Sequence, residues 1–122
     1  EMQHRGRTNQ PMRTWGGRVY YAEPSKIVDG RPRDYSYKLV NYLIQGSSAD
    51  ITKQAMIDYH ERKGESRLLL NVHDELIITA PKAAWKTEMA VLRTAMNGIP
   101  LDAPLLSNGE VGYRWYGMEK CE

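Results

Sequence analysis

Two apolar runs, Leu68-Leu69-Leu70 and Leu76-Ile77-Ile78, stand five residues apart, and three of those five are the polar sequence His73-Asp74-Glu75. The runs read as adjacent strands, Arg67 to Val72 and Leu76 to Ala80, joined by a connection almost as short as a hairpin allows. Two-residue hairpin turns favour Asn-Gly, Asp-Gly or other glycine pairs, because their central residues need positive φ. Asp74-Glu75 offers no glycine, and departures from local rules are expected chiefly at functional sites. Both strands are apolar on both faces, which predicts a sheet covered on both sides with its polar tip emerging from a rigid, buried base. Two adjacent carboxylates at such a tip repel one another unless a cation sits beside them, and oxygen ligands favour Mg²⁺ or Mn²⁺ over zinc. The alternative is a solvated polar turn in which neither acid acts.

The rest of the chain reads as one unit over 1–122, without repeats, low-complexity tracts or linkers. Its length supports one small core at most. With 41% hydrophobic and 26% charged residues it has the composition of an ordinary soluble domain. Residues 1–11 are expected to be irregular. The stretch PMRTWGGRVYYAEP predicts two short strands around Gly16-Gly17, and Pro24 to Asp34, with two prolines and a glycine, predicts a loop. From Ser36 to Lys63 there is no proline, and the pattern predicts a helix ending at Gly64 as its C-cap. Pro81 opens a second predicted helix, Lys82 to Met96, closed by Asn97-Gly98, and a short strand is expected near Val111. The fold class that follows is α+β: a small antiparallel sheet with the His73-Asp74-Glu75 hairpin, packed against one long and one shorter helix.

At helical spacing, Asn41, Gln45, Ser48 and Thr52 form a narrow stripe that is polar and uncharged. The first four turns therefore read as largely enclosed, and enclosed amides must find partners. Those partners are either neighbouring backbone or a ligand rich in acceptors. A nucleic-acid minor groove is such a ligand, since purine N3 and pyrimidine O2 are present at every base pair.

Cys121 is the only cysteine, which excludes an internal disulfide and a cysteine-based zinc site and fits a reducing, cytoplasmic setting. No run approaches the length of a membrane span. Eight of the 17 Lys and Arg lie in residues 1–38, against four acids, a basic arm that hints at a polyanionic partner.

The amide stripe followed about 30 residues later by strand-HDE-strand resembles the C-terminal palm segment of family A DNA polymerases, the bacterial polymerase I type. Val72-His73-Asp74-Glu75-Leu76 matches that family's V-H-D-E-L hairpin. Asn41, Gln45, Gly46, Ala49 and Asp50 match its N-x-x-x-Q-G-x-x-A-D helix. TWGGRVYYAEP looks like its G-R-x-x-Y strand, with phage-like phrasing. The resemblance covers roughly Met12 to Trp115 and implies a DNA-directed DNA polymerase. It implies Asp74 as a metal-binding aspartate of nucleotidyl transfer and Glu75 as an assisting or outer ligand of Mg²⁺ or Mn²⁺, with no organic cofactor. It implies His73 at the primer-terminal phosphate and Asn41 and Gln45 in the minor groove, with Lys38 and Arg18 as further DNA contacts. Primer-template DNA and an incoming dNTP are the expected partners, in a bacterial cell or a phage-infected host. Where the family often has an Arg four residues before its Asn, this chain has Tyr37, beside Lys38.

The family's other metal-binding Asp and its fingers helix have no counterpart in these 122 residues. The chain is thus expected to be a palm fragment, inactive alone, that works with a missing N-terminal palm and fingers portion and self-associates in isolation. A nucleic-acid-binding module without chemistry and a metal-dependent nuclease are the rivals. The nuclease lacks a third acidic ligand.

Overall fold

The computed structural model describes residues 10–121. Most of the irregular stretch expected at 1–11, and with it Glu1, Arg5 and Arg7 of the basic arm, lies outside the described residues. The fold is α+β, as the sequence predicts. Its strands do not join into one sheet: among the described residues they form four separate antiparallel ribbons of two strands each. The chain groups into two compact units, Glu1–Ile51 and Thr52–Glu122, with the boundary inside the long helix.

In the first unit, β1 (Met12–Arg13) pairs with β2 (Val19–Tyr20) around the predicted Gly16-Gly17 turn. Gly17 takes φ 85, a backbone that a side chain would strain. The loop predicted for Pro24 to Asp34 is instead a hairpin, β3 (Lys26–Val28) against β4 (Arg31–Arg33). Its turn is Asp29-Gly30, with φ 53 and 75, the pair of positive values that an Asp-Gly type I′ turn supplies. Pro32 argues against a strand, because proline cannot donate to a ladder. It lies opposite Ile27, one step from a two-residue turn, where the pair exchanges no hydrogen bond and the missing N–H is not needed.

The long helix, α1, runs Lys38–Arg62, two residues inside its predicted start. Asp34 closes the turn before it, accepting hydrogen bonds from the Ser36 N–H and Oγ, both at 2.8 Å. A glycine mid-helix costs about 1 kcal/mol relative to alanine. At Gly46 a Cβ would lie 2.8 Å from Thr14 Cγ2 and 3.1 Å from Tyr20 Cε2, so the bare backbone lets the β1–β2 hairpin rest on the helix. Tyr20 also stacks on Tyr42, ring centroids 5.5 Å apart. The expectation that the first four turns are enclosed fails: Asn41, Ile44, Gln45 and Ser48 are exposed, and only Thr52 of the polar stripe is buried.

The second unit holds the rest of α1, then β5 (Arg67–Val72), β6 (Glu75–Thr79), α2 (Trp85–Asn97), β7 (Gly109–Val111) and β8 (Glu119–Cys121). Its core is Tyr59, Leu92 and Ala95, surrounded by Leu68, Leu76, Ile78, Met89, Val91 and Met96. Gly64 does not cap α1 with left-handed backbone. The buried carboxylate of Glu88 takes its place, accepting the Gly64 N–H at 3.0 and 3.2 Å and the Ser66 hydroxyl, which in turn meets the Tyr59 hydroxyl. A Cβ at Gly64 would stand 2.5 Å from Glu88 Oε1, so glycine is there to admit the acid. The second helix starts later than predicted because residues 82–84 form a turn, and it ends one residue later, on Asn97. Gly98 has φ −80 and donates its N–H to Thr94 O at 2.9 Å, so it ends the helix without left-handed geometry. The strand expected near Val111 is β7, paired with β8.

Candidate functional site

Hairpin β5–β6 carries the three polar residues, and its register explains how the tip is built. Leu68 pairs with Ile78 and Leu70 with Ile77, which leaves Leu69 as an extra residue, a bulge in β5. Beyond the bulge Asn71 lies opposite Leu76 and Val72 opposite Glu75. The turn is therefore His73-Asp74, one residue earlier than the Asp74-Glu75 pair expected, and Glu75 opens β6. Simple pairing from Leu68 and Ile78 would have left a three-residue loop; the bulge shortens it to two.

His73 has φ 56 and Asp74 does not have positive φ, the sign pattern of a turn whose first position usually goes to glycine. Histidine enters that region more readily than most residues, but it still holds it at a cost. Asn71 steadies the strained peptide: its Nδ2 donates to His73 O at 3.1 Å and to Glu75 O at 3.2 Å. Sequence reasoning passed over Asn71, although an Asn two residues before a turn is a recognisable backbone-bonding signal. The predicted two-sided burial is not found, since Leu69 and Leu70 are 56% and 47% exposed. One side alone is covered, where Leu68, Leu76 and Ile78 meet the core.

Asp74 and Glu75 are both exposed, and their carboxylates make no hydrogen bond or ion pair within the described residues. Their oxygens suit a hard divalent cation. Among the described residues no three His, Cys, Asp or Glu side chains gather closely enough to enclose one. Within the described residues the turn therefore offers two carboxylates and no enclosed site.

In the first unit, Asn41 and Gln45 stand one turn apart on α1, exposed, with no side-chain hydrogen bond within the described residues. The other two DNA-binding candidates are engaged. Lys38 Nζ pairs with Glu23 Oε1 at 2.9 Å and lies 4.6 Å from the centre of the Tyr35 ring. Hydrogen bonds from Lys38 and from the Tyr42 hydroxyl, the latter at 2.7 Å, hold the Glu23 carboxyl below its ordinary range. Arg18 Nη2 pairs with Asp50 Oδ1. Its pKa is raised by hydrogen bonding to Tyr20 and by the Asp50 charge. Asp50 also accepts from the Thr14 hydroxyl, which more than the Arg18 charge holds its carboxyl below the usual range. The last residue of the N-x-x-x-Q-G-x-x-A-D match therefore fastens the β1–β2 hairpin to α1. A Cβ at Gly16 would fall 2.8 Å from its Cγ. Tyr37, at the family's frequent Arg position, is exposed and tilted against Tyr35. His73, Asp74 and Glu75 share one turn of the second unit, while Arg18, Lys38, Asn41 and Gln45 belong to the first.

Comparison with known proteins bears directly on these motifs. The chain is 35% identical to the DNA polymerase I of Chloroflexus aurantiacus over 119 residues, 93% of this chain and 13% of that protein. It is 34% identical to the DNA polymerase I of Caldicellulosiruptor bescii over 116 residues, 90% of this chain and 14% of that one. Identity to the Bacillus subtilis DNA polymerase I is 44% over 82 residues, 63% of this chain and 9% of that protein. The chain thus spans about a seventh or less of the length of these relatives. No solved structure matches it. The model of DNA polymerase family A matches residues 1–117, which takes in both the amide helix and the His73-Asp74 turn, and the chain belongs to that family.

Proposed function

We propose that the chain supplies the C-terminal palm portion of a DNA-directed DNA polymerase, one carboxylate side of its metal site and part of its hold on primer-template DNA. The observation that carries this reading is the β5–β6 hairpin: Asp74 stands exposed at a two-residue turn whose preceding peptide is braced by Asn71. In the complete enzyme Asp74 is a direct ligand of Mg²⁺ or Mn²⁺ and Glu75 an assisting one. When bound, two such ions activate a primer 3′-hydroxyl and neutralise charge on the triphosphate of the incoming dNTP.

His73 donates from its imidazole to the primer-terminal phosphate. Asn41 and Gln45 offer amide N–H groups to the minor-groove acceptors, testing pair shape without reading sequence. Their exposure, with no competing partner within the described residues, leaves those donors available. Lys38 and Arg18 contribute by holding Glu23 and Asp50, so their part in DNA binding is to set the surface around α1. The site needs further acidic ligands from another part of the polymerase, so the chain alone is inactive. In isolation it self-associates through its exposed apolar side chains.

Primer extension with Mg²⁺ tests this reading. Mixing the chain with a polypeptide that carries the remaining polymerase motifs is expected to give activity, and Asp74→Ala to lower it by about 10²–10³-fold, the scale of losing a group that stabilises the transition state. Extension that survives Asp74→Ala would sink the assignment. DNA cleavage by the chain alone, lost in Asp74→Ala, would favour a nuclease instead.

A further inference from the structure

Among the described residues the basic arm resolves into two kinds of cation. Arg18 is held by Asp50, Lys38 by Glu23, and Arg13 reaches the Gly17 carbonyl at 3.3 Å. Lys26, Arg31 and Arg33 are left, and all three lie in the β3–β4 hairpin. None has an anionic partner among the described residues; Arg33 alone makes a side-chain contact, 5.8 Å above the Tyr35 ring. Lys26 adds to the field at Glu23 without pairing with it.

Register places these three on one side. Lys26 lies opposite Arg33 and Val28 opposite Arg31, and positions two apart in a strand share a face. Ile27 and Pro32 therefore occupy the reverse side, where Ile27 is 72% exposed. Like charges directly opposite in a ladder are destabilising, so Lys26 and Arg33 oppose the pairing of their own strands. Asp29, at the tip, is the one acid within the ribbon itself. A short ribbon that concentrates cations against its own stability is matched to an anion brought by a partner.

We infer that the Lys26–Arg33 ribbon binds the phosphate backbone of duplex DNA through Lys26, Arg31 and Arg33, independently of base sequence. This rests on the polymerase reading for its choice of polyanion. The ribbon's chemistry agrees with it. Arg and Lys neutralise phosphates, and the apolar reverse face, Ile27 and Pro32, has no donor with which to read base edges. That face is too small to anchor the chain in a lipid surface.

The test measures binding of the 122-residue chain to a labelled DNA duplex across a range of salt. Replacing Lys26, Arg31 and Arg33 by Gln is expected to weaken binding equally for unrelated sequences and to reduce the slope of log Kd against log salt by about 3, near one per phosphate contact. A second variant, Arg31→Lys with Arg33→Lys, is expected to keep the slope. The paired Asn41→Ala, Gln45→Ala change is expected to lower affinity without altering it. An unchanged slope in the Gln variant overturns the inference, as does a chain that binds no duplex. So does ribbon-dependent binding to phosphatidylserine vesicles in place of DNA. If the Gln variant loses its slope while the Asn41 and Gln45 changes do nothing, the ribbon stands and the minor-groove reading falls.

Discussion

Single side chains in this chain are held by partners that local sequence does not announce. Asp50 is the clearest case. Within the helix motif it looks like a polar surface residue, yet Thr14 and Arg18 bind it and draw its pKa down. A carboxyl whose folded pKa lies below its unfolded one adds stability above the unfolded value and loses it as pH falls through the folded one. Asp50→Asn is therefore expected to lower the thermal midpoint at neutral pH, and the gap from the parent chain is expected to narrow below about pH 4. Parallel melting curves at pH 7 and pH 3 check this; a gap that stays constant would show that Asp50 contributes through shape alone. Glu88 is the second case, a charged residue on α2 that reads as solvated and is buried at the end of α1, bound by Gly64 and Ser66. No periodicity could reveal it, because its partners lie 24 and 22 residues away.

Elements were legible to the extent that their signals were local. The long helix, the Gly16-Gly17 hairpin and the strand-HDE-strand hairpin follow from proline-free spacing, paired glycines and two apolar runs. The β3–β4 ribbon was missed although Asp29-Gly30 is among the strongest turn signals, since two prolines outweighed it. The hairpin with a polar tip at His73-Asp74-Glu75 was readable, but its exact turn was not, because the bulge at Leu69 moves the register by one. That shift places His73 at the strained position. Replacing it with glycine removes a left-handed side chain, so His73→Gly is expected to stabilise the isolated chain by roughly 1 kcal/mol while depressing primer extension in the complemented polymerase. Denaturant melts together with extension assays measure both. A variant that is less stable, or equally active, would assign His73 no strain or no contact.

At the scale of the molecule, the unusual feature is how much apolar surface is left open. Ile27, Ile44, Ile57, Leu69, Leu70, Leu106 and Trp115 are all exposed, and among the described residues just seven hydrophobic side chains are buried. Contiguous apolar patches drive association in water. The isolated chain is expected to self-associate at micromolar concentration, and sedimentation velocity showing a clean monomer across that range would count against it. The sequence hinted at this by predicting two-sided burial of β5 and β6 and an enclosed α1. Those residue patterns describe surfaces suited to being covered, whereas the described residues cover one side only. Among them no helix is long and apolar enough to cross a membrane.

The Leu69 bulge also bears on how such a chain can change over evolutionary time. Its extra residue is taken up at the base of β5, so the reach of the tip is counted from there. Losing one residue between Leu68 and Val72 could be absorbed by flattening the bulge, with the His73-Asp74 turn kept, whereas gaining one would need a second unpaired position or a longer turn that redirects Asp74, even though most of that stretch faces solvent. Substitution there should be tolerated far better than insertion, which makes β5 a strand with permissive chemistry and an upper limit on its length.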